Sequence, residues 1–438
     1  MNREKIKITI ENMSWGGDGI GYEQGKEVHV AGVLPGEVVE VLPYKKRGGV
    51  LHAHLLQVED ASPDRRDPKE EYYYRTGSPW QCIPYEKQLA YKKELLIRNW
   101  YRDTGGLPSN EVSIERSFYE WGYRNKLEFS FDEGHLAFHV RGRRYDMQRV
   151  AGSVLGNEKM NECAQVIVRE IRKKKIPSHI LKSLVIRYSF LEDTCIAVLY
   201  VKNKNGADNI RIEHMLFNEK KSGGFYVVYS DPRSPASVAT EVVYRNGSEY
   251  IEEQVGNNIF SYHYNSFFQV NPSAFGSVLE DMRLHACSGG YAADMYAGVG
   301  TIGISLAGMF EGMYFIESDV YAREMIQKNG TRAMPEAQCL KNGDTIVGDA
   351  ERQDLRTLLQ KTDTVIIDPP RSGLHPRVMK YFMESPPRQI IYVSCNPKTQ
   401  ARDWRIFRDL YTTSHWRLYD LYPQTPHVES MLILSRIE

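Results

Sequence analysis

Cys395 ends a short apolar run, Ile390-Ile391-Tyr392-Val393, that reads as a buried strand. Asn396-Pro397 turns the chain immediately afterwards. A thiol is thereby set at the C-terminal mouth of a strand, where open α/β sheets hold their ligands. As a thiolate it can serve as a nucleophile; as a plain small hydrophobe it would merely cap the strand. Glu429, in His427-Val428-Glu429, lies between two late strand-like runs, Arg417–Tyr422 and Met431–Leu434. If those runs pair as a hairpin at the sheet edge, Glu429 reaches the mouth that holds Cys395. A thiol and a carboxylate at one mouth match nucleophile plus general base. His427 reads as a structural or substrate-positioning residue.

Two further stretches carry chemistry. Asp294-Met295-Tyr296-Ala297-Gly298-Val299-Gly300-Thr301-Ile302-Gly303 follows a strand and opens a helix. Gly298, Gly300 and Gly303 let the backbone approach a ligand closely, and the helix start offers unpaired N–H donors. Glu317, at the end of the next strand, suits a ribose diol in either a nicotinamide or an S-adenosylmethionine site. Asp368-Pro369-Pro370-Arg371 ends the run Thr364–Ile367. Two prolines hold a stiff, non-helical ledge there, better fitted to a flat substrate base than to a nicotinamide.

The elements that must position these residues follow from the pattern of the chain. Its 438 residues predict two or three domains. Residues 1–58 alternate short β-rich runs with turn clusters, as a small barrel does. Residues 59–260 read as a β-rich central domain that opens with a linker around Asp64–Asp67, with a helix over 84–102 available to pack on the domain that follows. Residues 261–438 alternate strands and helices, the signature of a parallel sheet. Lysines and arginines balance acids at 56 each, so any nucleic-acid surface must be local. Candidates are Lys45-Lys46-Arg47, Arg141-Gly142-Arg143-Arg144 and Arg172-Lys173-Lys174-Lys175. Six scattered cysteines argue against a disulfide framework. No apolar run reaches membrane-spanning length and Met1–Ile10 has no signal-peptide core, which predicts a soluble cytoplasmic protein.

M-S-W-G-G-D-G-I-G-Y and V-L-P-G-E-V-V, near the start, resemble the TRAM module, an OB-like RNA-binding barrel. Y-R-N-K-L-E-F at 123–129, F-F-Q-V-N-P at 267–272, D-M-Y-A-G-V-G-T at 294–301, D-P-P-R-S-G at 368–373, V-S-C-N-P at 393–397 and H-V-E-S at 427–430 resemble, in that order, the RNA uracil-5-methyltransferase family. The resemblance implies a Rossmann-like class I methyltransferase domain using S-adenosylmethionine, an N-terminal TRAM barrel and a β-rich centre. It puts Cys395 on the nucleophile and Glu429 on the general base. It puts Gln269, Tyr296, Gly298, Gly300, Thr301, Glu317, Asp349 and Asp368 on cofactor contacts, and Asp368 and Arg371 on the substrate base. Thr301 departs from the Asn common there.

The implied substrate is RNA, with 23S ribosomal RNA favoured over the tRNA T-loop because of the barrel, and a monomer is expected. Many relatives hold an iron–sulfur cluster. Here Lys69, Arg75 and Ser78 stand at three ligand positions, Cys163 at the fourth, and Cys82 outside the set. One thiolate cannot hold a cluster that needs four, so no cluster is expected, and no metal site is assigned. Packing by Tyr72, Tyr73, Tyr74 and Trp80 is expected in its place.

Three other classes compete. A cytosine-5 RNA methyltransferase is expected to carry a second Cys where this chain has Pro370-Arg371. A nicotinamide oxidoreductase leaves Cys395 and Glu429 unexplained. A binding-only RNA protein does not require the intact set of Cys395, Glu429 and Asp368.

Overall fold

The computed structural model describes the whole chain except residues 1–3, 110, 144, 206, 208–209, 212–222, 235–236 and 334–344. Arg144 of the second basic segment therefore lies outside the described residues.

Five strands close the N-terminal barrel: β1 (Ile6–Met13), β2 (Gly19–Glu23), β3 (Lys26–Val30), β4 (Val38–Arg47) and β5 (Val50–Asp60), in the order β1-β2-β3-β5-β4. Its alternating inward residues, among them Ile8, Ile10, Val28, Val30, Val39 and Val41, form a small core of their own.

Helix α1 (Tyr85–Thr104) starts after Pro84 and stops at Gly105, which caps it in the left-handed conformation (φ 73°). The chain next forms β6 (Ser113–Glu115). The central domain follows with β7 (Lys126–Asp132), β8 (His135–His139), β9 (Met147–Arg149), α2 (Glu158–Lys173), β10 (Leu181–Ser189), β11 (Thr194–Val201), β12 (Gly224–Tyr229) and β13 (Glu241–Gly247). Its seven-stranded sheet runs β13-β12-β11-β10-β7-β8-β9, with α2 packed on one face through Met160, Ile167 and Ile171. A hairpin, β14 (Tyr250–Val255) and β15 (Asn258–His263), leads into the last part.

That part contains α3 (Pro272–His285), β16 (Tyr291–Met295), α4 (Thr301–Leu306), β17 (Gly312–Glu317), α5 (Val320–Ala333), β18 (Thr345–Val347), α6 (Arg356–Leu359), β19 (Thr364–Ile367), α7 (Pro376–Glu384), β20 (Gln389–Ser394), α8 (Pro397–Phe407), β21 (Tyr411–Tyr419) and β22 (Glu429–Arg436). The eight-stranded sheet is ordered β18-β17-β16-β19-β20-β22-β21-β6. β18 to β20 are parallel and fully apolar runs such as Val365–Ile367 fill the two-sided core.

The late hairpin forms, but it is not the edge of the sheet. β6 adds in parallel beside β21, with Leu418 opposite Ile114. The chain before residue 116 therefore completes the eight-stranded sheet. Helix α1 lies against α8, where the Trp100 ring meets Trp404 and Trp416 with centroids 6.0 and 5.2 Å away.

Helix α1 also grips the segment between β21 and β22. The buried Lys92 ammonium donates to Asp420 Oδ1 at 2.5 Å and to the Tyr422 carbonyl at 3.1 Å. Gln88 donates to Gln424 Oε1 at 2.8 Å and accepts from the Gln424 N–H at 2.9 Å. Lys92→Ala leaves Asp420 buried without its cation, which costs about 3–5 kcal/mol. A large fall in melting temperature is the expected result. Lys92→Met combined with Asp420→Leu is expected to recover most of it, because the pair is removed whole. Unchanged melting of Lys92→Ala would refute the role given to the pair.

The expected aromatic packing over 72–80 holds only in part. Tyr73 and Trp80 are buried, whereas Tyr72 is exposed. The segment is instead fastened by polar contacts: Gln81 Oε1 accepts from the N–H groups of Lys69 and Glu70, both at 3.1 Å, and Glu70 accepts from Gln81 Nε2 at 2.6 Å and from the Val154 N–H at 2.9 Å. The Lys69 ammonium sits 4.5 Å over the Trp121 ring.

Candidate active site

The strand mouths of the sheet bring most of the selected residues together. β20 pairs antiparallel with β22, Ser394 opposite Ser430, so Cys395 and Glu429 leave adjacent strands side by side. β19 lies on the other flank of β20 and delivers Asp368. The loops are tied: Asn396 Nδ2 donates to the Arg371 carbonyl at 2.8 Å. Gly373 makes the turn with φ 76° and donates to the Pro370 carbonyl at 2.8 Å. Asp403, on α8, accepts from the Leu374 N–H at 2.9 Å and from the Tyr392 hydroxyl at 2.8 Å.

Gln269 reaches this mouth from the loop before α3, with Nε2 donating to Asp368 Oδ2 at 3.3 Å. Its placement explains the Y-R-N-K motif. Asn125 Nδ2 donates to the Gln269 carbonyl at 3.0 Å, and the Asn125 N–H to the Val270 carbonyl at 3.0 Å. The Tyr123 hydroxyl donates to the Pro423 carbonyl at 3.0 Å. Sequence patterns marked the motif without showing that it clamps both loops feeding the site.

Electrostatics at the mouth are dominated by burial. Burial, with the charges of Glu429 and Asp368, pushes the Cys395 thiol up to about 11, against the pull of Arg371. Burial and then Asp368 push Glu429 well above the usual carboxylate range, while Arg371 and Tyr422 favour its ionised form. Glu429 Oε1 has no hydrogen-bond partner. Asp368 rises to about 7, again through burial, opposed by the Gln269 hydrogen bond. A carboxylate raised in this way is a stronger base once ionised.

A cleft of about 460 Å³ opens above Cys395. Its walls include Arg371 and His427 from the catalytic part, Pro79 and Arg141 from the middle, and Trp15 and Gly16 from the barrel. The barrel loop is pressed against this region, since the Trp80 indole N–H donates to the Gly17 carbonyl at 2.9 Å. The contribution of Trp15 and Gly16 was not visible in the sequence.

The second group of residues lies at the mouths of β16 to β18. Glu317 accepts from the Gly298 N–H at 2.8 Å and from the Asp319 N–H at 2.7 Å. Those bonds fix the carboxylate while leaving acceptor capacity for a diol. Gly298 (φ 55°) faces open space where a Cβ would stand. Tyr296, also at positive φ (64°), has a buried hydroxyl without a partner. Gly300 (φ 83°) caps α4 and Thr301 is its buried first residue. Asp349 follows β18 and accepts from the Glu351 N–H at 2.9 Å. A pinned acid, an unfilled glycine cradle and an unpaired phenol at one sheet mouth fit an adenosyl group.

Asp294 stands behind that loop, fully buried, with Oδ2 accepting from the Gly303 N–H at 2.8 Å and Oδ1 unpaired. Burial, and then Asp368 and Glu317, raise its carboxyl to about 8. The fold therefore holds a proton that the unfolded chain releases near pH 4. Its contribution to stability is full below that pH and is lost as pH rises through about 8. Asp294→Asn keeps the acceptor and carries no charge. Between pH 5 and pH 9 its melting temperature is expected to fall less than that of the wild type, and parallel curves would contradict this.

No helix among the described residues is long and apolar enough to cross a membrane. A family model described as tRNA (uracil-5-)-methyltransferase matches residues 85–437. An uncharacterised RNA methyltransferase of Caldanaerobacter subterraneus is 29% identical over 458 residues, covering 99% of this chain and 99% of its own length. Another, of Thermotoga maritima, is 29% identical over 448 residues, covering 98% and 99%. The crystal structure of Pyrococcus abyssi tRNA (uracil-54, C5)-methyltransferase in complex with S-adenosyl-L-homocysteine has the same fold, with a TM-score of 0.76 at 24% identity, covering 98% of this chain and all of that one. The chain belongs to the tRNA (uracil-5-)-methyltransferase family and is an S-adenosylmethionine-dependent enzyme that methylates uracil C5 in RNA.

Proposed function

We propose that this chain acts on a uridine of 23S ribosomal RNA through a covalent Cys395–C6 adduct, with Glu429 as general base. The adjacency of Cys395 and Glu429, set by the pairing of β20 with β22, is the observation that supports this reading. C5 of uracil is a poor nucleophile. Addition of the Cys395 sulfur to C6, with loss of the thiol proton to solvent, makes an enolate whose nucleophilic carbon is C5. S-adenosylmethionine, when bound, would supply an electrophilic methyl carbon to which C5 bonds as the S–CH3 bond breaks and S-adenosylhomocysteine leaves. Glu429 then takes the C5 proton, and the C6–S bond breaks to restore the ring and the thiolate. Arg371 favours the thiolate form during attack and elimination. Asp368 and Arg371 hold the polar edge of the base, and Gln269 and Asp368 reach the cofactor. Tyr296, Gly298, Gly300, Thr301, Glu317 and Asp349 hold the adenosyl side. The target base must leave its stack to enter the mouth.

Ribosomal RNA is the target we favour, with the barrel, whose Trp15 and Gly16 wall the cleft above Cys395, as a further surface for it. The second reading is a T-loop uridine of tRNA. It is favoured by the Pyrococcus abyssi protein, whose described substrate is tRNA and whose whole chain matches this fold. We further propose that the enzyme is a cytoplasmic monomer. Tritiated methyl donor with total RNA from a strain lacking the activity distinguishes the targets. Label in 5-methyluridine of the large ribosomal RNA is expected. Label in tRNA would keep the chemistry and overturn the target.

A further inference from the structure

His29 and His52 are neighbours across the parallel ladder of β3 and β5, directly opposite in register. Their rings meet edge to face with centroids 5.5 Å apart. Asp18, in the turn before β2, completes the group: each of the three offers a ligand atom within 4.8 Å of the other two. All three line one cavity of about 160 Å³, alongside Tyr44 and Arg141.

The surroundings match what a bound ion needs. Glu27 Oε1 lies 2.5 Å from His29 Nε2. A carboxylate on one ring nitrogen fixes the tautomer and leaves the other nitrogen, Nδ1, with its lone pair free. Asp18 Oδ1 lies 3.0 Å from Arg141 Nη1, yet neither atom makes an aligned hydrogen bond. Its acceptor capacity is thus not satisfied by that ion pair.

We infer that Asp18, His29 and His52 form a site on the barrel for a divalent ion of the zinc class, with Glu27 orienting His29. Two imidazole nitrogens and one carboxylate oxygen make a borderline-soft donor set, and water takes the fourth position. The ion replaces Arg141 as the counter-charge of Asp18.

The test uses the untagged full chain, stripped with chelator and desalted. Zn²⁺ is titrated by calorimetry and Co²⁺ by visible absorption. One equivalent of each is expected to bind. His29→Ala and His52→Ala are expected to weaken binding by about 100-fold or more, and Glu27→Gln by about 10–100-fold. Glu27→Gln serves as the decisive variant if either histidine variant fails to fold. His415→Ala, in the separate Asp281–His285–His415 group, is expected to bind as the wild type does. Absence of saturable binding overturns the inference. So does wild-type affinity in the Glu27, His29 and His52 variants, loss in His415→Ala instead, or a thiolate charge-transfer band that puts the ion on a cysteine.

Discussion

Cys395→Ala is expected to abolish methyl transfer to RNA, lowering turnover by roughly 10⁴-fold or more. The thiol is half-buried in the mouth, forms no disulfide and has Arg371 as its polar neighbour, so the folded protein should survive the change. Binding of S-adenosylmethionine is expected to persist, because the glycine loop and Glu317 lie on other strands. Loss of turnover with intact cofactor binding thus separates a chemical role from a folding defect. The raised thiol adds a second signature. With Cys395 near 11 and Glu429 held well above the usual carboxylate range, the ionised forms required for attack and proton removal accumulate only as pH rises. Single-turnover rates of the wild type are therefore expected to climb from pH 6 toward pH 9. Normal turnover by Cys395→Ala would end the covalent scheme.

Glu429→Gln should do something different: stall the reaction after the methyl group has moved. Loss of a general base costs about 10²–10⁴-fold in turnover. With C5 deprotonation blocked, the C6–S bond cannot be released by elimination. A protein–RNA adduct resistant to denaturing electrophoresis is the expected product, and it should be absent from the Cys395→Ala/Glu429→Gln double variant. Because Glu429 is buried with Oε1 unpaired, the amide fits the same space without stranding a hydrogen-bond donor partner. Rapid release of 5-methyluridine RNA by Glu429→Gln would assign the base to another residue.

How much of this was readable in advance depended on range. The parallel strands announced themselves as short apolar runs, and the turns after them carried Cys395, Asp368 and Gly298. The hairpin of β21 and β22 was legible from two strand-like runs close in sequence, and the pairing of β22 with β20 then puts Glu429 beside Cys395. Contacts made across hundreds of residues left no such trace. Ser113-Ile114-Glu115 is too short to show a period, yet it finishes the catalytic sheet beside β21. Lys92 falls within the helix expected over 84–102, and only the fold reveals Asp420 buried beside it. Tyr72 was expected to pack in place of a cluster, but it is Tyr73 that turns inward, its hydroxyl donating to the Gly32 carbonyl at 2.9 Å. His29 and His52, more than twenty positions apart, meet only because β3 and β5 pair in parallel.

The strand β6 carries a consequence for how the chain is made and divided. A polypeptide beginning at Ser261 contains every residue assigned to chemistry, yet β21 would then present its open backbone to solvent. Bare strand edges recruit other chains, so such a fragment is prone to self-association rather than activity. During synthesis the order is reversed: residues 113–115 emerge some three hundred positions before the strand they join. The amino-terminal portion must wait, with its docking strand unpaired, until those intervening positions have been made. Any rearrangement of genes that separated these parts would have to invent a new edge strand, which ties the inheritance of the front of the protein to that of its back.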